Sequence, residues 1–181
     1  MQNVLTMSKK ALTWGVVVSA ILWSMSAAFV VAPLTARAAT ALKAGDLIRG
    51  TVKSPYGGYP VFFYGADGKK SLFPTEATYK TWYTDFSMVK VLPQTELEAI
   101  PSGDKNVTYR PGTSVVKFES ESNLYVVEKG GMIRKVSDAV AKTLFGDAYV
   151  ASQVPSAFRA NYKSGADVNA ATDYNKTAAM T

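Results

Sequence analysis

The sequence predicts an α+β fold in which a β-hairpin-plus-helix unit, ordered β-β-β-α-α, is duplicated around one core behind an N-terminal signal helix. Three observations predict it. Residues 61–73 and 124–136 align as β-rich residues, a Gly-bearing turn and β-rich residues again. A run with apolar residues at helical spacing follows each stretch. Ahead of both lies residues 12–32, an uncharged and mostly apolar segment.

Lys9 and Lys10 are the only charges before Arg37, and Pro33 and Ala36-Arg37-Ala38 follow the apolar segment. A positive start, an apolar run and a small-x-small site are the parts of a secretory signal. The apolar run must enter a bilayer as a helix, because only a helix satisfies its own backbone groups in lipid. Small residues at Ala36 and Ala38 place cleavage after Ala38, with Ala39 as a close competitor. An uncleaved anchor is the rival reading, since 21 residues match the roughly 20 that span a hydrocarbon core. Pro33 and the Ala-Arg-Ala site favour cleavage. Both readings put residues 39–181 outside the cytoplasm, with membrane contact confined to the N-terminal segment.

Within the exported part, Asp46-Leu47-Ile48-Arg49 is the opening strand of the first unit and Ser114-Val115-Val116-Lys117-Phe118 that of the second. The hairpins follow, turning at Asp67-Gly68 and Gly130-Gly131, which supply the positive φ angles such turns need. Pro74-Thr75 starts the first helix, which carries Tyr79, Trp82 and Tyr83. Ser137 caps the second, which carries Val140, Leu144 and Phe145 and stops at Gly146. The i, i+3, i+4 spacing puts each apolar set on one face. Short second helices are expected over 95–100, where Thr95 and Glu98 match a capping box, and over 155–162. The units run over about 42–110 and 111–168, with a period of about 62 residues. Ala166-Asp167-Val168 reads as the opening strand of a third unit that does not develop, and residues 169–181 as a flexible tail.

Composition narrows the chemistry. The chain carries 20 basic and 14 acidic side chains, but Lys9, Lys10 and Arg37 belong to the leader, so the exported part is only modestly basic at +3. That is too weak and scattered for a nucleic-acid-binding face. Cysteine and histidine are both absent. This removes disulfides, thiol nucleophiles and thiolate metal sites, the Ser-His-Asp arrangement and nearly all transition-metal sites. Carboxylate chemistry, Ser-Lys chemistry and oxygen-ligand cations survive. No dense Asp run of the calcium-loop kind is present, no Ser-x-x-Lys stands in a supporting context, and nothing marks a carboxylate pair.

Tyr56 and Tyr59 are the leading binding candidates. They lie in Ser54-Pro55-Tyr56-Gly57-Gly58-Tyr59-Pro60, a loop inserted in the first unit only, where exposed aromatics can stack on sugar rings. Trp82 and Tyr83 are expected in the core. Lys69 and Lys70 on one hairpin match Arg134 and Lys135 on the other. Together they offer an anionic wall polymer a place to bind, or simply a solvated strand face.

Gly45-Asp46-Leu47-Ile48, the run from Tyr64 through Asp67-Gly68-Lys69-Lys70 to Phe73-Pro74, and Tyr79-Lys80-Thr81-Trp82-Tyr83-Thr84-Asp85-Phe86 resemble a repeat in exported, S-layer-like surface proteins of uncultivated small-genome bacteria. Residues 106–112 and 125–131 follow the same pattern, so the resemblance covers about 42–168. It implies a surface location and a repeat module, and brings no catalytic residues. The 54–60 loop is longer than the pattern, and Lys135 stands where an aromatic is expected. The expectation is a non-catalytic cell-surface structural or adhesion module without metal or cofactor, whose partners are envelope components or its own copies. A carbohydrate- or wall-polymer-binding module is the alternative, and a carboxylate-based hydrolase a distant third.

Overall fold

Leu47 and Ile48 are neighbours in sequence and both are buried, so the first strand, β1 (Leu47–Arg49), has no solvent face. Successive side chains of a strand point to opposite sides, and that one fact determines the layering. The computed structural model describes residues 40–180. The expected signal segment, with Ala36, Ala38 and Ala39, lies outside the described residues.

The fold is mixed α+β, with two sheets and few helices. The first sheet contains β1, β2 (Val61–Tyr64), β3 (Lys70–Leu72) and β4 (Val89–Val91), in the order β3-β2-β1-β4. β1 pairs antiparallel with β2 and parallel with β4. Between β3 and β4 lies α1 (Glu76–Lys80), and α2 (Gln94–Ala99) follows β4. The second sheet contains β5 (Val115–Phe118), β6 (Leu124–Glu128), β7 (Met132–Val136), β8 (Ser152–Val154) and β9 (Lys163–Ser164), in the order β8-β5-β6-β7-β9. Here α3 (Asp138–Phe145) precedes β8 and a 3₁₀ segment, Ser156–Asn161, follows it.

The single shared core that was expected is replaced by four apolar clusters, because both faces of both sheets are covered. On the first sheet, Leu47, Val61 and Phe73 pack with Tyr79 of α1, while Ile48 packs with Leu92 and with Leu97 of α2. On the second, Val115, Val126 and Val136 pack with Ala141 of α3, while Val116, Val127 and Ile133 pack with Val154, Tyr109 and Tyr162. Each fully buried Val, Leu or Ile is worth about 1.5–3 kcal/mol, which lets a chain without disulfides hold together.

Helix starts follow the sequence closely. Thr75 Oγ1 accepts from Thr78 N at 3.0 Å and Ser137 Oγ from Val140 N at 3.3 Å, each side chain capping its helix. Other expectations give way. α2 begins at Gln94 behind Pro93, without a side-chain cap, and Glu98 accepts from Gln94 Nε2 at 2.8 Å instead of closing a box with Thr95. The expected helix over 155–162 is a 3₁₀ segment. Ala166-Asp167-Val168 opens no new unit: Val168 N donates to Lys135 O at 2.8 Å, extending the β7 edge beside β9.

The expected flexible tail is also corrected. Tyr174 is only 4% exposed and donates its hydroxyl to Val127 O at 2.7 Å, and α4 (Lys176–Met180) buries Ala179. Gly112, at φ 73, makes room for this: a Cβ there would meet Met180 Cγ at 2.9 Å. The tail is held because its Tyr174 and Ala179 pack with Val115 and Val126, in the same cluster as Ala141 of α3.

Candidate functional site

β1 and β2 are joined by the longest hairpin connection of the first sheet, and its distal part is folded on itself. Ser54 N donates to Gly58 O at 2.9 Å, Gly57 N to Ser54 O at 3.0 Å, and Tyr56 N to Ser54 Oγ at 3.2 Å. Gly57 and Gly58 sit at φ 87 and 68, a succession of left-handed residues that side-chain-bearing residues rarely adopt. The turn holds Tyr56 at its tip, 99% exposed.

This loop rims a cleft of about 800 Å³ over the α1 face of the first sheet. Tyr56 and Tyr59, both exposed, mark its mouth, and Arg49, Tyr79, Phe86 and Phe158 also line it. The aromatic wall is itself ordered: Tyr79 stacks on Phe86 with centroids 4.4 Å apart and meets Phe73 edge-on at 5.1 Å. Tyr79 also donates its hydroxyl to Asp85 O at 2.7 Å, and burial raises its pKa above the ordinary phenol value.

The electrostatics of the mouth are one-sided. The Arg49 guanidinium lies 4.1 Å from the centre of the Tyr59 ring, and Lys53 Nζ 5.8 Å from it. Neither cation forms an ion pair among the described residues. Glu76, the one acidic residue lining the cleft among the described residues, is engaged by Lys80 at 2.8 Å.

The remaining sequence candidates are placed elsewhere. Lys70 donates to Leu97 O at 2.6 Å and Ile100 O at 2.7 Å, capping the C-terminal end of α2. Burial lowers its pKa, with the Glu98 charge acting in the opposite direction. Lys69 pairs with Asp104 at 3.5 Å. Arg134 bonds Glu128 at 2.8 Å and reaches the carbonyls of Ala166 and Asp173, both at 2.8 Å, fastening the C-terminal segment to β7. Lys135 is exposed on the same strand. The cleft thus brings together Tyr56 and Tyr59 but not the four hairpin cations.

Trp82 departs from its expected core position. Thr81 caps α1 and donates its hydroxyl to Thr78 O at 2.7 Å, so the helix ends before Trp82 and the helical-face reasoning no longer applies. Trp82 is 38% exposed, with Nε1 donating to Thr108 O at 2.8 Å. Tyr83 is half-buried against Phe73 and Tyr79.

Arg49, Lys53, Phe86 and Phe158 were missed. Arg49 carries a usable signal, a charge two residues from Leu47 and so on the same buried face. Phe158 carries none, because it joins the cleft from the far end of the chain.

No family model matches the chain, and no curated protein matches it. Among solved structures, a chain of the periplasmic assembly from the ESX-5 inner membrane complex is similar at 13% identity, over 81% of this chain and 50% of that one, with a TM-score of 0.25. This chain therefore spans half the length of that one, and at that score the likeness carries no argument about function.

Proposed function

We propose that this chain is an exported, non-catalytic cell-surface module, structural or adhesive in role, that makes its contact through the cleft beneath the 54–60 loop. The observation that carries the reading is Tyr56: a large aromatic ring 99% exposed on a turn fastened by three hydrogen bonds. A tyrosine on a backbone already held spends little conformational entropy on binding, because only its two side-chain torsions remain to be fixed. Export is supported by the charged start, apolar run and Ala-Arg-Ala site of residues 9–38. A duplicated unit is supported by the two sheets, since in both a hairpin's first strand pairs parallel with a strand that follows a helix. A non-catalytic role is supported by the cleft's acidic content, a single carboxylate already paired, where glycoside cleavage ordinarily uses two.

Co-sedimentation of the exported chain with isolated cell envelopes tests the reading. Binding that falls at least tenfold in Tyr56→Ala and Tyr59→Ala, with unchanged circular dichroism, is the expected result. Envelope binding indifferent to both substitutions would remove the cleft from the function. Concentration-dependent light scattering separates lateral self-assembly, which predicts large species from the chain alone, from adhesion, which does not.

A further inference from the structure

We infer that the cleft takes an acidic polysaccharide, a polymer of sugar rings bearing carboxylates, with Tyr56 and Tyr59 as stacking platforms and Arg49 and Lys53 as the carboxylate partners. The inference rests on the proposed role of the cleft and adds the ligand's chemistry.

Two observations point to a carboxylate. The first is charge: Arg49 lines the cleft and Lys53 lies beside the Tyr59 ring that lines it, both free of ion pairs among the described residues, and the one acid lining the cleft among those residues is engaged by Lys80. The second is an internal precedent. Arg159 also lies over aromatic rings, 5.1 Å from that of Phe118 and 5.9 Å from that of Tyr125, and there a carboxylate completes the arrangement: Glu121 accepts from Arg159 Nε at 3.2 Å and from the Tyr125 hydroxyl. Arg49 over Tyr59 is the same pairing of guanidinium and phenol ring without the carboxylate. Among the described residues Arg49 makes one hydrogen bond, from Nη1 to Gly50 O at 3.2 Å, which leaves most of its five guanidinium donors uncommitted there. A guanidinium engages a carboxylate through two parallel bonds. The Tyr56 ring, 99% exposed, and the part of Tyr59 that the guanidinium leaves open offer flat apolar surface to the C–H face of a sugar, and a cleft of about 800 Å³ falls within the range that encloses a small organic ligand.

The test is titration of the exported chain with hexagalacturonate, alongside a neutral hexasaccharide and inorganic polyphosphate, followed by calorimetry and tyrosine fluorescence. The expected result is salt-sensitive binding of hexagalacturonate at least tenfold tighter than of the neutral oligomer. Arg49→Gln and Tyr59→Ala should each weaken it at least tenfold, while Lys135→Gln, an exposed cation on the other sheet, should leave it unchanged. Should Arg49→Gln perturb folding, Lys53→Gln on the exposed loop serves in its place, with a loss of at least threefold expected. Equal binding of the neutral oligomer overturns the carboxylate assignment and leaves the cleft intact as a binding site. Tighter binding of polyphosphate than of hexagalacturonate, or an equal loss in Lys135→Gln, reduces the interaction to diffuse charge and overturns the inference. Absence of binding to all three also overturns it, while envelope co-sedimentation of the tyrosine variants still judges the cleft separately.

Discussion

The two sheets carry the same kind of hairpin, yet their first connections have opposite characters. Between β1 and β2 the chain spends residues 50–60, builds a self-bonded turn and leaves aromatic rings and two cations at a cleft. Between β5 and β6 it spends only 119–123, and Glu121 N donates back to Phe118 O at 3.0 Å. There the available arginine, Arg159, is neutralised internally by Glu121. The strands of the two sheets do similar work, burying apolar residues on both faces. The difference between an open site and a closed surface lies in about six residues of connection, where added length costs little loop-closure entropy.

The comparison can be broken most forcefully at the closed end. Tyr174→Ala removes a buried ring and its bond to Val127 O. It should cost about 3–5 kcal/mol in urea denaturation, whereas Tyr56→Ala on the open loop should stay within about 0.5 kcal/mol. Alkali attacks the same closed half. Burial pushes the Tyr162 and Tyr174 hydroxyls up to about 12, above the ordinary phenol value near 10. A phenol whose folded pKa is raised contributes stability that is complete below pH ~10 and lost as pH rises through about 12. Circular dichroism and the ionisation of Tyr162 and Tyr174, followed individually by NMR, should therefore change together in that window, and ionisation of either without loss of structure would contradict the burial of these rings.

Next come two of the cations that reach backbone carbonyls, Arg134 and Lys70. Arg134→Met should cost about 2–3 kcal/mol and Lys70→Met about 1–2 kcal/mol, because charged donors make bonds of about this worth and their acceptors are left partly covered. Hydrogen exchange should show the first loosening residues 166–180 and the second loosening α2. The smallest effect is expected from the helix pairs Glu76–Lys80 at 2.8 Å and Asp138–Lys142 at 2.7 Å. Replacing either acid by its amide should cost at most about 0.5 kcal/mol, about equally in the two halves. Thermal denaturation at low and high salt checks it.

Local chemistry accounts for what was legible in the sequence. The turns at Gly68 and Gly130 and the caps at Thr75 and Ser137 are each made by residues within a few positions of one another. The parallel strands β4 and β8 were not foreseen, because three residues are too few to show a period and their pairing depends on β1 and β5 some forty residues away. The tail was misread for the same reason: its Ala, Thr and Asn composition says nothing until the face of Val115 and Val126 calls for a cover. Of the cleft, Tyr56 and Tyr59 stood out as an insertion in one unit, whereas Arg49 and Phe158 meet there across more than a hundred residues.

The position of β1 has a mechanical side. A chain pulled at its N-terminal end usually loses an edge strand first, one bond at a time. Here the first strand is central, bonded to β2 on one side and β4 on the other. The approach to it is already fastened, by Gly45 N to Tyr64 O at 2.8 Å and by Lys90 to Asp46 at 2.6 Å. Load running along β1 strains both ladders at once, so rupture needs several bonds to fail together. Forced unfolding is governed by that barrier and not by the equilibrium stability. The molecule should hold tension applied at its N-terminal end better than its short strands alone would predict.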